Sequence, residues 1–210
     1  MRSLVTFMLP TIGAEPQSLV STRIDSVRIS SGKVLYNNNL RVYTPSGSDK
    51  SSTRTEFDGV SSGKYYWETV FDTAAHEWTG IVATQGTTPT SYPPQYPGLN
   101  DYSYGVSVTG MLRKSPATSY STVTGYLPTC SPGDVVGTAM DLDNLTLNFS
   151  HNGTWCNAFT IVANTYFPAC ACNNSGGTHP ESYITFRFSP NDLQYPVPEG
   201  YIAGFGELTT

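Results

Sequence analysis

The sequence predicts an all-β protein, an antiparallel β-sandwich with no significant helix. Short runs rich in Val, Ile, Tyr, Phe and Thr recur along the chain, and Gly, Pro, Asn and Asp separate them. Those residue types favour pleated strands and tight turns. No stretch of the main body repeats apolar residues at the spacing of an amphipathic helix. Evenly spaced strands without intervening helices are typical of an antiparallel sandwich.

The length of the chain predicts one domain preceded by a short arm. Its 210 residues suffice for one buried core, and sandwiches of this size form single domains. We therefore predict a single domain over residues 21–210. Residues 1–20 contain an apolar run after Arg2 that resembles a short signal peptide, but Pro10 and Gly13 interrupt it. We interpret them as an apolar arm that docks on its own sandwich or on a neighbour.

The first half of the chain predicts a series of short strands followed by one long irregular segment. The strands are predicted at residues 27–29, 34–36, 40–43, 65–71, 80–84 and 105–109. Residues 85–104, rich in Tyr, Pro and Gly, separate the last two. Loops longer than about 12–15 residues are uncommon and usually functional or disordered, so this segment is the most informative irregular one.

The second half predicts four longer strands, at residues 135–142, 145–149, 166–172 and 183–188. Nearly every position of 135–142 is apolar or small, which predicts a strand buried on both faces. In 145–149 the apolar residues alternate with Thr146 and Asn148, which predicts one buried face. Asp143 and Asn144 predict a two-residue hairpin turn between these strands.

The low charge of the chain disfavours two classes of partner. Charged residues make up 13% of the sequence, about half the usual fraction, and the net charge is −5. The basic residues are scattered, with Arg113 and Lys114 as the only adjacent pair. An acidic chain of this kind has no reason to condense on nucleic acid or on anionic membranes. No apolar stretch approaches the roughly 20 residues that span a bilayer, so no membrane partner is predicted.

The four cysteines predict no metal or cofactor site. Cys170 and Cys172 should point to one face of a strand, because side chains alternate with period two. The C-x2-C spacing with further ligands that is typical of zinc sites is absent. Buried thiols are the favoured interpretation. A disulfide, for example between Cys156 and Cys170, stays open at this stage.

The sequence predicts a protein that is not an enzyme. Its three histidines, at positions 76, 151 and 179, lie in turn or loop contexts without metalloprotease spacing. No nucleophile elbow or phosphate-binding loop occurs. Nothing in the sequence pairs two carboxylates for glycoside hydrolysis, and Asp141 and Asp143 are interpreted as turn residues that bond their own backbone. No catalytic residue is therefore predicted.

A binding surface is predicted around the Tyr/Pro segment. Tyrosine offers a large contact area at low entropic cost, and proline stiffens a loop. The stretch 113–120 should form a neighbouring loop of the same surface. The alternative is that these rings merely cover the edge of the sandwich. The predicted binding residues are Tyr92, Tyr96, Tyr102, Tyr104, Arg113 and Tyr120.

Four segments, in order along the chain, resemble the SPRY family. They are GVSSGKYYWE at 59–68, YGVSV at 104–108, the run from GDVVGTAMDLD at 133–143 to NG at 152–153, and YFPA at 166–169 followed by ITFRF at 184–188. The resemblance implies a concanavalin-like jelly-roll sandwich. It also implies a binding module without catalytic residues or cofactors. Trp67 of the first segment is expected in the core.

Within the family, the chain resembles the forms carried by bacteriophage virion proteins. The segments at 59–68 and 195–201 are similar to phage forms. This resemblance implies a virion structural or appendage protein that binds other virion proteins, itself as a homo-oligomer, or a host-surface protein or glycan. Two alternatives stay open. One is a stand-alone, cytoplasmic SPRY adaptor that recognises peptides, and the other is a lectin-like, glycan-binding module.

Overall fold

The computed structural model describes residues 34–38, 40–45, 51–55, 59–83, 96–99, 102–117, 119–172 and 181–205. These residues form strands, turns and loops, with no helix among them. The described part of the chain accordingly offers no helix able to cross a membrane. The predicted arm at 1–20 and the predicted strand at 27–29 lie outside the described residues.

Fifteen strands are present in the described ranges, and several are only two or three residues long. In chain order they are β1 (Val34–Tyr36), β2 (Arg41–Thr44), β3 (Ser51–Arg54), β4 (Lys64–Phe71), β5 (Glu77–Ala83), β6 (Ser103–Ser107), β7 (Leu112–Ser115), β8 (Ser121–Val123), β9 (Asp134–Asp141), β10 (Thr146–His151), β11 (Thr154–Trp155), β12 (Phe159–Thr160), β13 (Tyr166–Cys172), β14 (Ser182–Arg187) and β15 (Ile202–Ala203).

The strands pair into two sheets. The larger has the order β1-β2-β14-β4-β9-β10-β11, with β12 paired to β10 and β15 paired to β4. The smaller has the order β3-β13-β5-β6-β7-β8. The β4-β15 ladder is parallel. The long ladders β4-β9 and β5-β13 are antiparallel, and the predicted antiparallel sandwich is confirmed.

The core lies between the inward faces of the two sheets. Every residue of β9 after Asp134 is buried, and β10 buries alternate residues along most of its length. Both results match the predictions from their sequence patterns. Trp67 in β4 is fully buried, as expected. Burial of one such large apolar side chain stabilises the fold by about 1.5–3 kcal/mol.

The hairpin between β9 and β10 differs from the predicted two-residue turn. Because Asp141 pairs with Thr146, four residues form the connection instead of two. Leu145 there adopts a φ of 54°. The Asp141 carboxylate accepts hydrogen bonds from the backbone N–H of Asn144 (2.9 Å) and from its side chain (2.8 Å), and pairs with Lys64 at 2.9 Å. The predicted role of Asp141 as a turn residue is confirmed.

The sequence patterns did not predict three strands that have polar sequences. SSTR in β3, LRKS in β7 and STV in β8 carry no apolar run. Their ladders with β13, β6 and β7 supply the hydrogen bonds that make them strands. The strand β5 also begins at Glu77, three residues before the predicted start at Gly80. Position 78 therefore belongs to a strand instead of a loop.

The four cysteines are present as thiols. Cys170 and Cys172 both belong to the main core cluster. Ala169, the neighbour of Cys170 in β13, packs instead in a separate cluster with Phe167. The predicted common orientation of the two thiols is confirmed. The open alternative, a disulfide between Cys156 and Cys170, does not form.

A buried carboxylate anchors the C-terminal segment to the larger sheet. Glu68 of β4 is fully buried. One of its oxygens accepts hydrogen bonds from the Tyr66 hydroxyl (3.0 Å) and the Tyr195 N–H (2.8 Å). The other accepts from the Gln194 N–H (2.8 Å) and faces Arg187 at 3.4 Å. These bonds satisfy the charge in a dry environment and fix the path of the chain.

Candidate functional site

Strand register determines which side chains reach the outer face of the smaller sheet. Gly80 of β5 pairs with Gly105 of β6, and Trp78 pairs with Ser107. Neighbouring residues point to opposite faces of a strand. Since Ile81 and the β6 residues on either side of Gly105 belong to the core, Trp78 and Gly105 must face outward.

The end of the Tyr/Pro segment packs directly on this outer face. A Cβ atom at Gly105 would lie 2.6 Å from the Pro97 Cβ, so only glycine admits this contact. Gly98 adopts a φ of +91°, and its N–H donates a hydrogen bond of 3.0 Å to the Ser103 hydroxyl. The segment therefore crosses β6 at van der Waals distance, and this places Tyr96 over β5.

Arg113 of β7 lies among three aromatic rings. Its guanidinium carbon is 5.1 Å from the centre of the Trp78 ring, 4.8 Å from that of Tyr96 and 4.9 Å from that of Tyr120. Trp78 and Tyr96 are stacked, with ring centres 4.8 Å apart. The Arg113 Nη1 also donates a hydrogen bond to the Tyr96 hydroxyl. We call these four residues the Arg113 cluster.

The Arg113 cluster combines a cation with exposed aromatic surface. None of the ion pairs among the described residues involves Arg113. Its buried Nε has no hydrogen-bond partner within the described ranges. Tyr120 is 49% exposed, whereas Trp78 is 7% exposed. Arginine, tyrosine and tryptophan are the side chains that contribute most to protein interfaces. A carboxylate on a partner would complement the uncompensated charge.

The structure brings together some of the predicted binding residues and separates others. Tyr96, Arg113 and Tyr120 meet in the cluster. Tyr104 does not belong to a binding surface: it is 1% exposed, and its hydroxyl accepts a hydrogen bond of 3.1 Å from the Val162 N–H. This corrects the prediction, and the reason is strand alternation, which turns Tyr104 into the core.

Two further predicted residues also lie away from the cluster or cannot be placed in it. Tyr102 is partly buried against the core, with a φ of 54°. Tyr92 lies outside the described residues. The alternative interpretation, in which the rings cover the sandwich, therefore holds for Tyr104 and in part for Tyr102.

Sequence reasoning missed Trp78, the base of the cluster. The sequence pattern predicts a strand that starts at Gly80, which leaves position 78 in a loop. Extending the period-two pattern backwards from Ile81 would have assigned Trp78 to the outward face, where a large aromatic residue needs a cover. That signal was present in the sequence.

A second row of aromatic side chains lies on the outer face of the larger sheet. Tyr43 stacks on Tyr183 with ring centres 4.7 Å apart, and Tyr36 follows at 6.3 Å from Tyr43. The Arg41 guanidinium lies 4.5 Å from the centre of the Tyr183 ring. Tyr36 is 46% exposed, which is close to the exposure of Tyr120. Unlike Arg113, Arg41 pairs with a carboxylate, Asp72, at 3.3 Å.

A third cluster joins a thiol, a carboxylate and an imidazole. The potential ligand atoms of Cys130, Asp134 and His151 all lie within 4.8 Å of one another. His151 Nε2 and Asp134 Oδ2 are 2.9 Å apart. The Ser131 N–H donates to the same carboxylate oxygen at 2.7 Å, and the Asn152 side chain donates to the other at 2.8 Å. These are residue types that bind metals.

The titration of this cluster follows from burial and hydrogen bonding. Burial, together with the nearby carboxylates of Asp134 and Glu77, raises the pKa of the Cys130 thiol to about 12. Two opposed effects act on the pKa of the Asp134 carboxyl. Burial acts to raise it, but the hydrogen bonds from Ser131, Asn152 and His151 lower it by more, so the pKa of Asp134 lies below its ordinary value. At neutral pH the isolated cluster holds a protonated thiol beside a carboxylate, which is a poor arrangement for a nucleophile.

Comparison with known families identifies the domain. The SPRY domain profile matches residues 64–181, more than half of the chain, and this range includes the Arg113 cluster. The chain belongs to the SPRY family. The predicted resemblance to the SPRY family is thus confirmed, and SPRY domains generally mediate protein–protein interactions. No curated protein matches the chain.

Solved structures support the same fold. A human SPRY domain superposes with a TM-score of 0.52 at 14% identity, covering 75% of this chain and 95% of that one. The SPRY domain of human HERC1 gives a TM-score of 0.57 at 16% identity, covering 81% of this chain and 98% of that one. Stonustoxin gives 0.59 at 16% identity, covering 80% of this chain but 27% of that one. At these identities the likeness concerns the fold.

Proposed function

We propose that this SPRY protein is a non-catalytic binding protein whose partner-binding surface is centred on the Arg113 cluster. The observation that carries the proposal is the guanidinium of Arg113. It is held in place by three rings and compensated by no carboxylate within the described ion pairs. A preorganised cation beside an exposed tyrosine costs little further entropy when a partner binds. The partner surface that fits it presents an acidic side chain and an apolar contact.

The proposal of a non-catalytic role rests on the accessible chemistry. The cluster that most resembles a catalytic arrangement contains Cys130, but this side chain is 6% exposed. The nitrogen that His151 turns toward the cluster is bonded to Asp134 at 2.9 Å. A nucleophile needs a free base within hydrogen-bond reach and an approach for substrate. Neither requirement is met in this geometry.

We further propose that the protein acts in a bacteriophage virion, where it binds another virion protein or a second copy of itself. Support comes from the low charged fraction of 13%, the apolar residues at 1–20 and the phage-like segments at 59–68 and 195–201. A host-surface protein or glycan is the other ligand class that this location would offer. The cytoplasmic adaptor function is equally compatible with membership of the SPRY family.

Light scattering of the purified protein tests the binding surface directly. We expect the intact chain to be oligomeric, and Arg113→Gln and Tyr120→Ser to weaken the assembly at least tenfold. Tyr36→Ser is the matched control, because Tyr36 on the other sheet is similarly exposed (46% against 49%). A chain beginning at residue 21 shows whether the arm contributes, once circular dichroism confirms that it folds. An oligomer that Tyr36→Ser weakens as strongly as Tyr120→Ser would exclude the Arg113 cluster as its interface.

Mass spectrometry of particles separates the two cellular settings. Virions would be purified from a lysate of the host that carries the gene, and their proteins quantified. A fixed number of copies of this chain per particle supports the virion function. Its recovery only in the soluble fraction would refute that function and leave the adaptor. A glycan array probed with the same protein tests the lectin-like alternative. Glycan binding that is unchanged in Arg113→Gln would place the glycan site on a surface other than the Arg113 cluster.

A further inference from the structure

The cluster of Cys130, Asp134 and His151 is assembled by the tertiary structure from two separate points of the chain, the segment 130–134 and the end of β10. Asp134 begins β9, and His151 ends β10. Cys130 lies in the loop before β9, where its N–H donates a hydrogen bond of 2.7 Å to the Val108 carbonyl. The loop is also held by the Gly133 N–H, which donates to the Phe71 carbonyl at 2.8 Å. These backbone bonds, not a sequence motif, bring the three side chains together.

We propose that Cys130, Asp134 and His151 bind a zinc ion through sulfur, a carboxylate oxygen and an imidazole nitrogen. A tetrahedral zinc ion with bonds of about 2.0–2.3 Å places its ligands about 3.3–3.7 Å apart. The ligand atoms here lie within 4.8 Å of one another, with His151 Nε2 and Asp134 Oδ2 at 2.9 Å. Side-chain shifts of roughly an ångström or less therefore suffice.

The donor set selects the class of metal. One thiolate, one imidazole and one carboxylate favour a borderline-soft ion such as zinc over calcium or magnesium, which take oxygen ligands. The metal-bound sulfur is a thiolate, so binding transfers the thiol proton to solvent. The ion takes the place of the hydrogen bond between His151 and Asp134. A water molecule occupies the fourth position, because three side chains leave it open.

Groups around the cluster already orient its carboxylate. The Ser131 N–H and the Asn152 side chain each donate a hydrogen bond to Asp134, at 2.7 and 2.8 Å. Asn152 is itself fixed, since its side-chain oxygen accepts from the Val135 N–H at 2.9 Å. Such outer partners position metal ligands and raise affinity. The side chains of His151 and Asp134 are 16% and 21% exposed, which gives an ion access from solvent.

Zinc at this position would connect parts of the fold that are otherwise joined by hydrogen bonds. The loop carrying Cys130 links β8 of the smaller sheet to β9 of the larger. The ion ties this loop to the end of β10. Since zinc binds the folded chain and stabilises it by mass action, the melting temperature should rise with zinc concentration. The inference does not depend on the proposed partner-binding function.

Calorimetric titration of the reduced, metal-free protein with Zn²⁺ tests the site. We expect one ion per chain, and an affinity at least tenfold lower in Cys130→Ser and His151→Gln. Matched controls are Cys156→Ser, whose thiol donates to the Tyr126 carbonyl at 3.0 Å outside the cluster, and His76→Gln. Both controls should bind zinc as the unaltered protein does. An affinity that Cys130→Ser leaves unchanged, or the absence of stoichiometric binding, would overturn the proposal.

Cobalt spectroscopy keeps the test decisive if a ligand variant fails to fold. Co²⁺ bound to a thiolate absorbs in the near ultraviolet by charge transfer, which carboxylate and imidazole ligands alone do not produce. The protein carrying Cys156→Ser should show this band at one equivalent of Co²⁺, and Zn²⁺ should abolish it. Without the band, Cys130 is not a ligand, and the cluster is a hydrogen-bonded histidine–aspartate pair beside a buried thiol.

Discussion

Replacing Arg113 with methionine removes the charge of the Arg113 cluster and keeps most of the side-chain volume. Three rings lie within 5.1 Å of the guanidinium carbon. At partly exposed sites each such contact contributes about 0.5–1 kcal/mol, and the hydrogen bond to the Tyr96 hydroxyl adds about 1 kcal/mol. Contacts of the methionine sulfur with the rings offset about 0.3–1.5 kcal/mol. The net expectation is a loss of about 1–4 kcal/mol in the free energy of unfolding.

Urea denaturation followed by tryptophan fluorescence measures this loss. Lys114→Met is the matched control, because Lys114 is the next residue of β7 and contacts a single ring, Phe159, at 5.3 Å. It should cost no more than about 0.5–1 kcal/mol. Arg113→Lys keeps the charge but loses the planar group that stacks between rings, so it should recover only part of the stability. If Arg113→Met lowers the free energy of unfolding no more than Lys114→Met does, the cluster does not act as described.

Three further predictions test how the surrounding structure is held. Gly105→Ala places a Cβ 2.6 Å from the Pro97 Cβ, and should lower the free energy of unfolding by about 1–3 kcal/mol. The displaced segment should move Tyr96 away from Trp78 and change the tryptophan fluorescence. Unchanged emission would contradict the packing. Glu68→Gln leaves one part-buried backbone N–H without an acceptor beside the buried side chain, and should lower the free energy of unfolding in urea by about 2–4 kcal/mol, against almost nothing for the exposed Glu199→Gln. Burial acts to raise the pKa of the Asp141 carboxyl, but the hydrogen bonds it accepts lower it by more, so the net pKa is below the ordinary value. The stability it contributes is therefore full above the ordinary value of about 3.9 and is lost as the pH falls below it. Asp141→Asn should flatten the stability curve in that acidic range, and a curve of unchanged slope would refute the assignment.

Local patterns in the sequence were sufficient to predict the architecture. The alternation of apolar and polar residues in β10, and the continuous apolar run of β9, follow from which faces of a strand are buried. That information is contained in each segment itself. The same reasoning placed Trp67 in the core and Cys170 and Cys172 on one face. It failed for β3, β7 and β8, because their polar sequences become strands through the hydrogen bonds of neighbouring strands.

The sites, in contrast, depend on contacts between distant segments. Whether Tyr104 faces the core or solvent depends on a single step of strand register, and a one-residue change reverses it. Arg113 of β7 reaches Trp78 of β5 only because the sheet order leaves a single strand, β6, between them. Cys130 meets His151 only because the chain passes from one sheet to the other just before β9. The sequence by itself determined an all-β SPRY sandwich, since strand patterns are local. The tertiary structure decided which side chains gather into a site, because register and sheet order act across the whole chain.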